Sequence, residues 1–94
     1  MYSDTHFRIG TSQAVAITGT SAQSTAIGAG IESVRLVSTT DCFVIVGASP
    51  VAVADTSMFL PAYTVEYIKL QPGQKIAGIY LSASGMLYIT EMIG

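Results

Sequence analysis

The alternation of apolar and polar positions is clearest over the last third of the chain. Between Glu66 and Met92 the stretches EYIKL, KIAGIYL and MLYITEM form three runs rich in β-branched and aromatic residues, parted by QPGQ and SASG. Such residues suit a pleated, half-buried surface. Pro72-Gly73 and Ser84-Gly85 mark reversals, since proline presets φ and glycine accepts positive φ. The pattern predicts a three-strand antiparallel meander. One face takes Glu66, Ile68 and Leu70, then Ala77, Ile79 and Leu81, then Leu87 and Ile89. This face is aliphatic and is expected to line the core. The other takes Val65, Tyr67 and Lys69, then Ile76, Gly78 and Tyr80, then Met86, Tyr88 and Thr90. Its three tyrosines are expected to stack across neighbouring strands.

Upstream, Glu32 to Ser38 alternates with period 2, Val34 and Leu36 on one face and Arg35 and Val37 on the other. Thr39-Thr40-Asp41 reads as a turn capped by the Asp41 side chain, and Cys42 to Val46 as a continuous apolar strand. Together they predict a hairpin. Gly47 to Ser57 reads as a loop interrupted by Val51-Ala52-Val53. Met58, Phe59 and Leu60 then gather three large apolar side chains ahead of Pro61, which belongs at an edge or a strand end. Ile9 to Ile31 carries no charge. There, Ala14–Thr18 and Ser24–Ile27 lie in an Ala/Gly/Ser/Thr/Gln background that fits either tightly packed strands or a solvated arm. Residues 1–12 read as an N-terminal arm or a first short strand. Helical spacing is nowhere sustained. The expectation is one all-β domain over residues 1–94, a small antiparallel β-sandwich or barrel of about seven or eight strands.

Composition changes the picture in one respect. Of 94 residues, 50% are hydrophobic and 11% charged, against about 25% charged in an ordinary soluble domain. A chain this short has little interior in which to hide so much apolar surface. Burial against other chains is the expected resolution, and a homo-oligomer, dimer or trimer, is the expected state. The tyrosines Tyr63, Tyr67, Tyr80 and Tyr88, with Met58, Phe59 and Leu60, are the interface candidates, because tyrosine joins an apolar ring to a polar tip. Net charge is −2 with four cations scattered along the chain, so there is no basic stripe for nucleic acid. No apolar run reaches membrane-spanning length, and MYSDTHFRIG lacks a signal-peptide layout.

Catalysis needs titratable groups that converge, and few are available. His6 lies in the presumed arm, and Cys42 lies in an apolar strand that would raise its pKa and leave it inert. Asp41 and Asp55 belong to turns. Glu66 and Glu91 are expected on neighbouring strand edges, solvated or paired with Lys69 or Lys75. No spacing suits a metal, the one open route being a carboxylate repeated about a symmetry axis. Gly28-Ala29-Gly30 precedes no helix and is no phosphate loop, and Ser82–Gly85 is a hairpin turn rather than a nucleophile elbow. No enzymatic activity, metal or cofactor is expected.

The sequence also resembles a family of small structural proteins encoded by tailed bacteriophages and prophages. The resemblance is carried by V-R-L-V-S-T-T-D-C-F-V-I-V-G at 34–47, P-V-A at 50–52, M-F-L-P-A at 58–62, E-Y-I-K-L-Q-P-G-Q-K-I-A at 66–77 and S-G-M-L-Y-I-T-E-M at 84–92. It covers the last two-thirds; the first third matches only in its Ala/Ser/Thr/Gln character. It implies a jelly-roll-like sandwich on the outer surface of the phage head. Such a protein would be made in the bacterial host's cytoplasm and would cement the major capsid protein without catalytic residues. Dimers or trimers would place copies on capsid symmetry axes. Two alternatives stand beside this: a receptor- or glycan-binding module using Tyr63, Tyr67 and Tyr80, and a head–tail or tail component.

Overall fold

The computed structural model describes residues 8–93; His6 and most of the expected arm lie outside them. Eight strands and no helix are present among the described residues. In chain order they are β1 (Arg8–Ile17), β2 (Ala22–Gln23), β3 (Ser33–Ser38), β4 (Cys42–Gly47), β5 (Met58–Leu60), β6 (Glu66–Lys69), β7 (Lys75–Tyr80) and β8 (Gly85–Ile93). They form two four-stranded antiparallel sheets. Sheet A has the order β1-β8-β3-β6 and sheet B the order β2-β7-β4-β5. First pairs with eighth, second with seventh, third with sixth and fourth with fifth. That nesting is the strand order of a jelly roll, one long ribbon wrapped into a two-sheet sandwich.

The individual strands match the sequence pattern closely, but their partners do not. β3 and β4 were expected to form a hairpin, yet they lie in different sheets, and Thr39-Thr40-Asp41 is the corner between them. Inside that corner Ser38 Oγ donates to the Thr40 carbonyl at 2.7 Å and accepts the Thr40 N–H at 3.2 Å. The Thr39 N–H donates to the Met86 carbonyl at 2.9 Å and the Asp41 carbonyl accepts the Leu81 N–H at 3.0 Å, so the corner is satisfied without closing a hairpin. Asp41 does not cap this turn, for its carboxylate reaches a different loop. The expected meander dissolves in the same way. β6 and β8 flank β3 in sheet A, while β7 lies in sheet B. The QPGQ and SASG segments are thus passages between sheets. Residues 8–12, part of the expected arm, pair with β8 as the start of β1, with a register shift between Ile9 and Ser12.

Core and surface positions follow from this arrangement. Val15, Ile17, Val34, Leu36, Cys42, Val44, Leu60, Ile76, Leu87 and Ile89 are all buried between the sheets. Each large aliphatic side chain contributes about 1.5–3 kcal/mol by leaving water. β7 has the opposite phase to that expected. Ile76 and Tyr80 pack on the core, and Gly78 faces Ile17, whose Cδ1 would lie 2.6 Å from an added Cβ. Ala77 and Ile79 look outward and Leu81 is exposed. Both faces of β7 are apolar because sheet B is covered on its outer side too. Residues 48–57 fold back over it, Pro50 and Ala52 are buried, and the Ala52 N–H donates to Ser21 Oγ at 2.8 Å. Phe43 and Ala77, which face away from the core, are buried by this cover.

Candidate interaction surface

The two long sides of the sandwich are built differently. On the β1–β2 side, residues 24–27 stitch the sheets together. The Gln13 side chain accepts the Thr25 N–H and hydroxyl, each at 3.0 Å. The Ser24 and Ile27 N–H groups donate to the carbonyls of Ile76 and Gln74, and Glu91 Oε2 accepts the Gly28 N–H at 3.0 Å. That carboxylate is thus engaged with backbone. Glu66 and Glu91 sit on strands at opposite sides of β3 and do not come together.

On the β5–β6 side the sandwich is open. β5 has three residues and covers only Cys42, Phe43 and Val44 of β4. Beyond it a groove of about 310 Å³ runs between the sheets, lined by Val44, Ile45, Val46, Met58, Ile68 and Lys69 together with Thr56 and Ser57. The far end is closed by the β5–β6 connection. There the Ala62 N–H donates to Asp41 Oδ1 at 2.7 Å and the Tyr63 N–H to the Ser38 carbonyl at 2.7 Å. Held by these two bonds, Tyr63 adopts φ = 58° and is 75% exposed. A side chain with a Cβ pays sterically for that conformation, about 1–2 kcal/mol.

Among the described residues, no segment covers the outer face of sheet A as residues 48–57 cover sheet B. Register places Ser12, Thr90, Arg35 and Tyr67 in one row across all four strands, with Ala14, Tyr88 and Val37 in the next. Ser12 and Thr90 exchange a hydroxyl–hydroxyl hydrogen bond at 3.1 Å. This row carries Arg35 and the row containing Ser33 carries Lys69; neither row holds a carboxylate among the described residues.

The interface candidates divide accordingly. Met58, Phe59, Tyr63 and Tyr67 gather on the open side, and Tyr88 lies on the bare face of sheet A, all substantially exposed. Leu60 and Tyr80 are occupied within the chain instead. Leu60 pairs with Cys42 and is wholly buried, and Tyr80 packs against the core. Nor do the tyrosines stack. Tyr67 faces Arg35, Tyr88 faces Val37, and Tyr80 is in the other sheet. Among the described residues the aromatic contact that forms is Phe43 with Phe59, ring centroids 5.4 Å apart. Ile45 and Val65 also join the exposed apolar side chains of the open side. The alternating pattern missed them because Ile45 sits in a run with no polar position.

Chemistry is sparse here. Among the described residues no group of three or more His, Cys, Asp or Glu side chains could hold a metal ion. Cys42 is buried, and burial pushes its thiol above the ordinary value, assisted by the charge of Asp41 and partly opposed by a hydrogen bond from Ser38. Fold and surface together define an eight-stranded jelly-roll module whose closed side and covered face contrast with an open side and a bare face. No known protein family, curated protein or solved structure matches this chain.

Proposed function

We propose that this protein is a structural component of a tailed-phage virion that decorates the head and stabilises it through contacts with the major capsid protein. One observation carries the reading, the asymmetry of apolar exposure. Ile45, Met58, Phe59, Tyr63, Val65, Tyr67 and Tyr88, seven of the eleven exposed large apolar residues among those described, lie on the open side or the bare face of sheet A. Surface concentrated in this way marks contact with other macromolecules. The family resemblance of the last two-thirds supports the phage assignment, and the jelly roll recurs among viral capsid domains. A cement needs rigidity and contact area, which a covered sheet B and a bare sheet A supply.

The test is co-sedimentation of the purified protein with expanded heads of the parent phage, followed by a heat challenge. Retention on the heads and a raised temperature of genome release are expected, and Tyr88→Asp should abolish both while leaving the protein folded. Heads that retain no protein and gain no heat resistance would end the capsid reading. The exposure of Tyr63 and Tyr67 favours the glycan-binding alternative as the second reading. Under it, host-surface polysaccharide rather than the head should retain the protein, and Tyr63→Ala should release it.

A further inference from the structure

The free edge of β6 can be read atom by atom. The Leu70 N–H donates to the Glu32 carbonyl at 3.0 Å, and the β3–β6 register runs on from that pair without a break. In an antiparallel ladder, bonded and non-bonded pairs alternate. Glu66 and Ile68 therefore turn their backbone groups toward β3, and Tyr67 and Lys69 turn theirs outward. Neither outward pair takes a backbone partner among the described residues. Directly inside this edge lies the apolar groove floored by Val44 and Val46 and flanked by Ile68 and Met58. An unpaired edge of this kind asks for an extended strand.

We infer that the strand is β6 of a second copy, paired antiparallel about a two-fold axis through Ile68. Only registers that keep like faces together are compatible with a two-fold axis normal to the sheet. The register centred on Ile68 sets Tyr67 opposite the partner's Lys69 in a hydrogen-bonded pair, and Lys69 opposite the partner's Tyr67. Each ammonium then meets an aromatic ring rather than another cation. On the inner face Ile68 meets its own symmetry mate at the mouth of the groove, so apolar surface fills apolar space. Centring on Tyr67 instead would set Glu66 beside the partner's Ile68 and direct a carboxylate at the groove. A standard interface takes about 800 Å² from each partner, roughly 15% of the 5268 Å² that this chain exposes. A four-residue edge does not reach that area alone; Met58, Tyr63 and Val65 border the same edge and supply the remainder. The product is a sandwich pair in which sheet A runs through eight strands, with its bare face doubled.

This assignment stands independently of the capsid reading, and its tests use the isolated protein. Sedimentation equilibrium should give a dimer. Tyr67→Lys sets lysine against the partner's Lys69 twice per dimer and should weaken association at least tenfold. Adding Lys69→Glu to that variant restores opposite charges and should restore the dimer. Lys69→Pro deletes an outward N–H and leaves the β3 ladder intact, so it should give a folded monomer. Under oxidation Ile68→Cys should cross-link at the short Cα separation of a non-hydrogen-bonded pair, and Tyr88→Cys should not. A monomeric wild type, or a dimer indifferent to Tyr67→Lys and Lys69→Pro, would overturn the inference. Heads that bind a monomeric wild type would leave the capsid reading standing without it.

Discussion

Replacing Asp41 with alanine removes the acceptor that ties the β5–β6 connection to the corner after β3. The carboxylate takes the Ala62 N–H at 2.7 Å in a half-buried setting, and a charged acceptor of this kind contributes about 1.5–3 kcal/mol. The neighbouring bond, Tyr63 N–H to the Ser38 carbonyl, joins neutral groups and contributes about 1 kcal/mol. Against both stands the left-handed conformation of Tyr63, φ = 58°, at about 1–2 kcal/mol. With Asp41 present the tether outweighs the strain; without it the two nearly balance. Tyr63 should then open locally far more often while the core stays folded. Native-state hydrogen exchange measured by NMR reads this directly, at about tenfold per 1.4 kcal/mol. Exchange of the Tyr63 amide should quicken about 10- to 100-fold in Asp41→Ala and by less in Asp41→Asn, which keeps an uncharged acceptor. The urea midpoint should move less than the local change implies. A Tyr63 amide that exchanges within threefold of wild type would refute the account of what holds this loop.

Two further outcomes follow from the packing. Gly85→Ala places a Cβ 2.7–2.8 Å from the Thr39 hydroxyl and from Thr40 Cγ2 and Cβ, so urea denaturation should show a loss of about 1–3 kcal/mol. Burial raises the Cys42 thiol above its ordinary 9.0, so the folded chain holds that proton more tightly than the unfolded one. The thiol's contribution is complete below pH 9 and is lost as pH rises beyond it. Wild-type stability should therefore fall as pH rises above 9, and Cys42→Ala should remove that part of the fall. An identical pH profile in the two proteins would contradict the burial argument.

Where one face is buried and the other wet, the residues alone were enough. Ser33–Ser38 alternates buried and half-buried positions, as Val34 and Leu36 against Arg35 and Val37 announce. Corners, by contrast, look like hairpins in sequence. Ser38 and Thr40 bond to each other locally, but the partners of Thr39 and Asp41 lie in residues 86 and 81, and nothing local says whether the next strand returns to the same sheet. β7 was misread for a related reason. With the core on one side and residues 48–57 on the other, it has no polar face to fix its phase. Leu60 and Tyr80 pack on the chain's own core, and large apolar side chains carry no mark in sequence that separates self-burial from burial by a partner. Met58, Phe59, Tyr63 and Tyr67 are exposed for a topological reason: among the described residues no segment closes the β5–β6 side.

The nested strand order has a consequence for how the chain reaches this state. Each ladder joins one of the first four strands to one of the last four. Neither half contains a ladder of its own, and β1 enters sheet A only when Ser12 finds Thr90 near the other end of the chain. Such non-local pairing makes folding slow, on the order of milliseconds to seconds, and β1 is joined to β3 only through β8, the last strand made. Residues 48–57 are the only covalent link across the divide. Fragments cut there should be unstructured apart and fold when mixed, and two intact chains have the means to exchange halves through that same link.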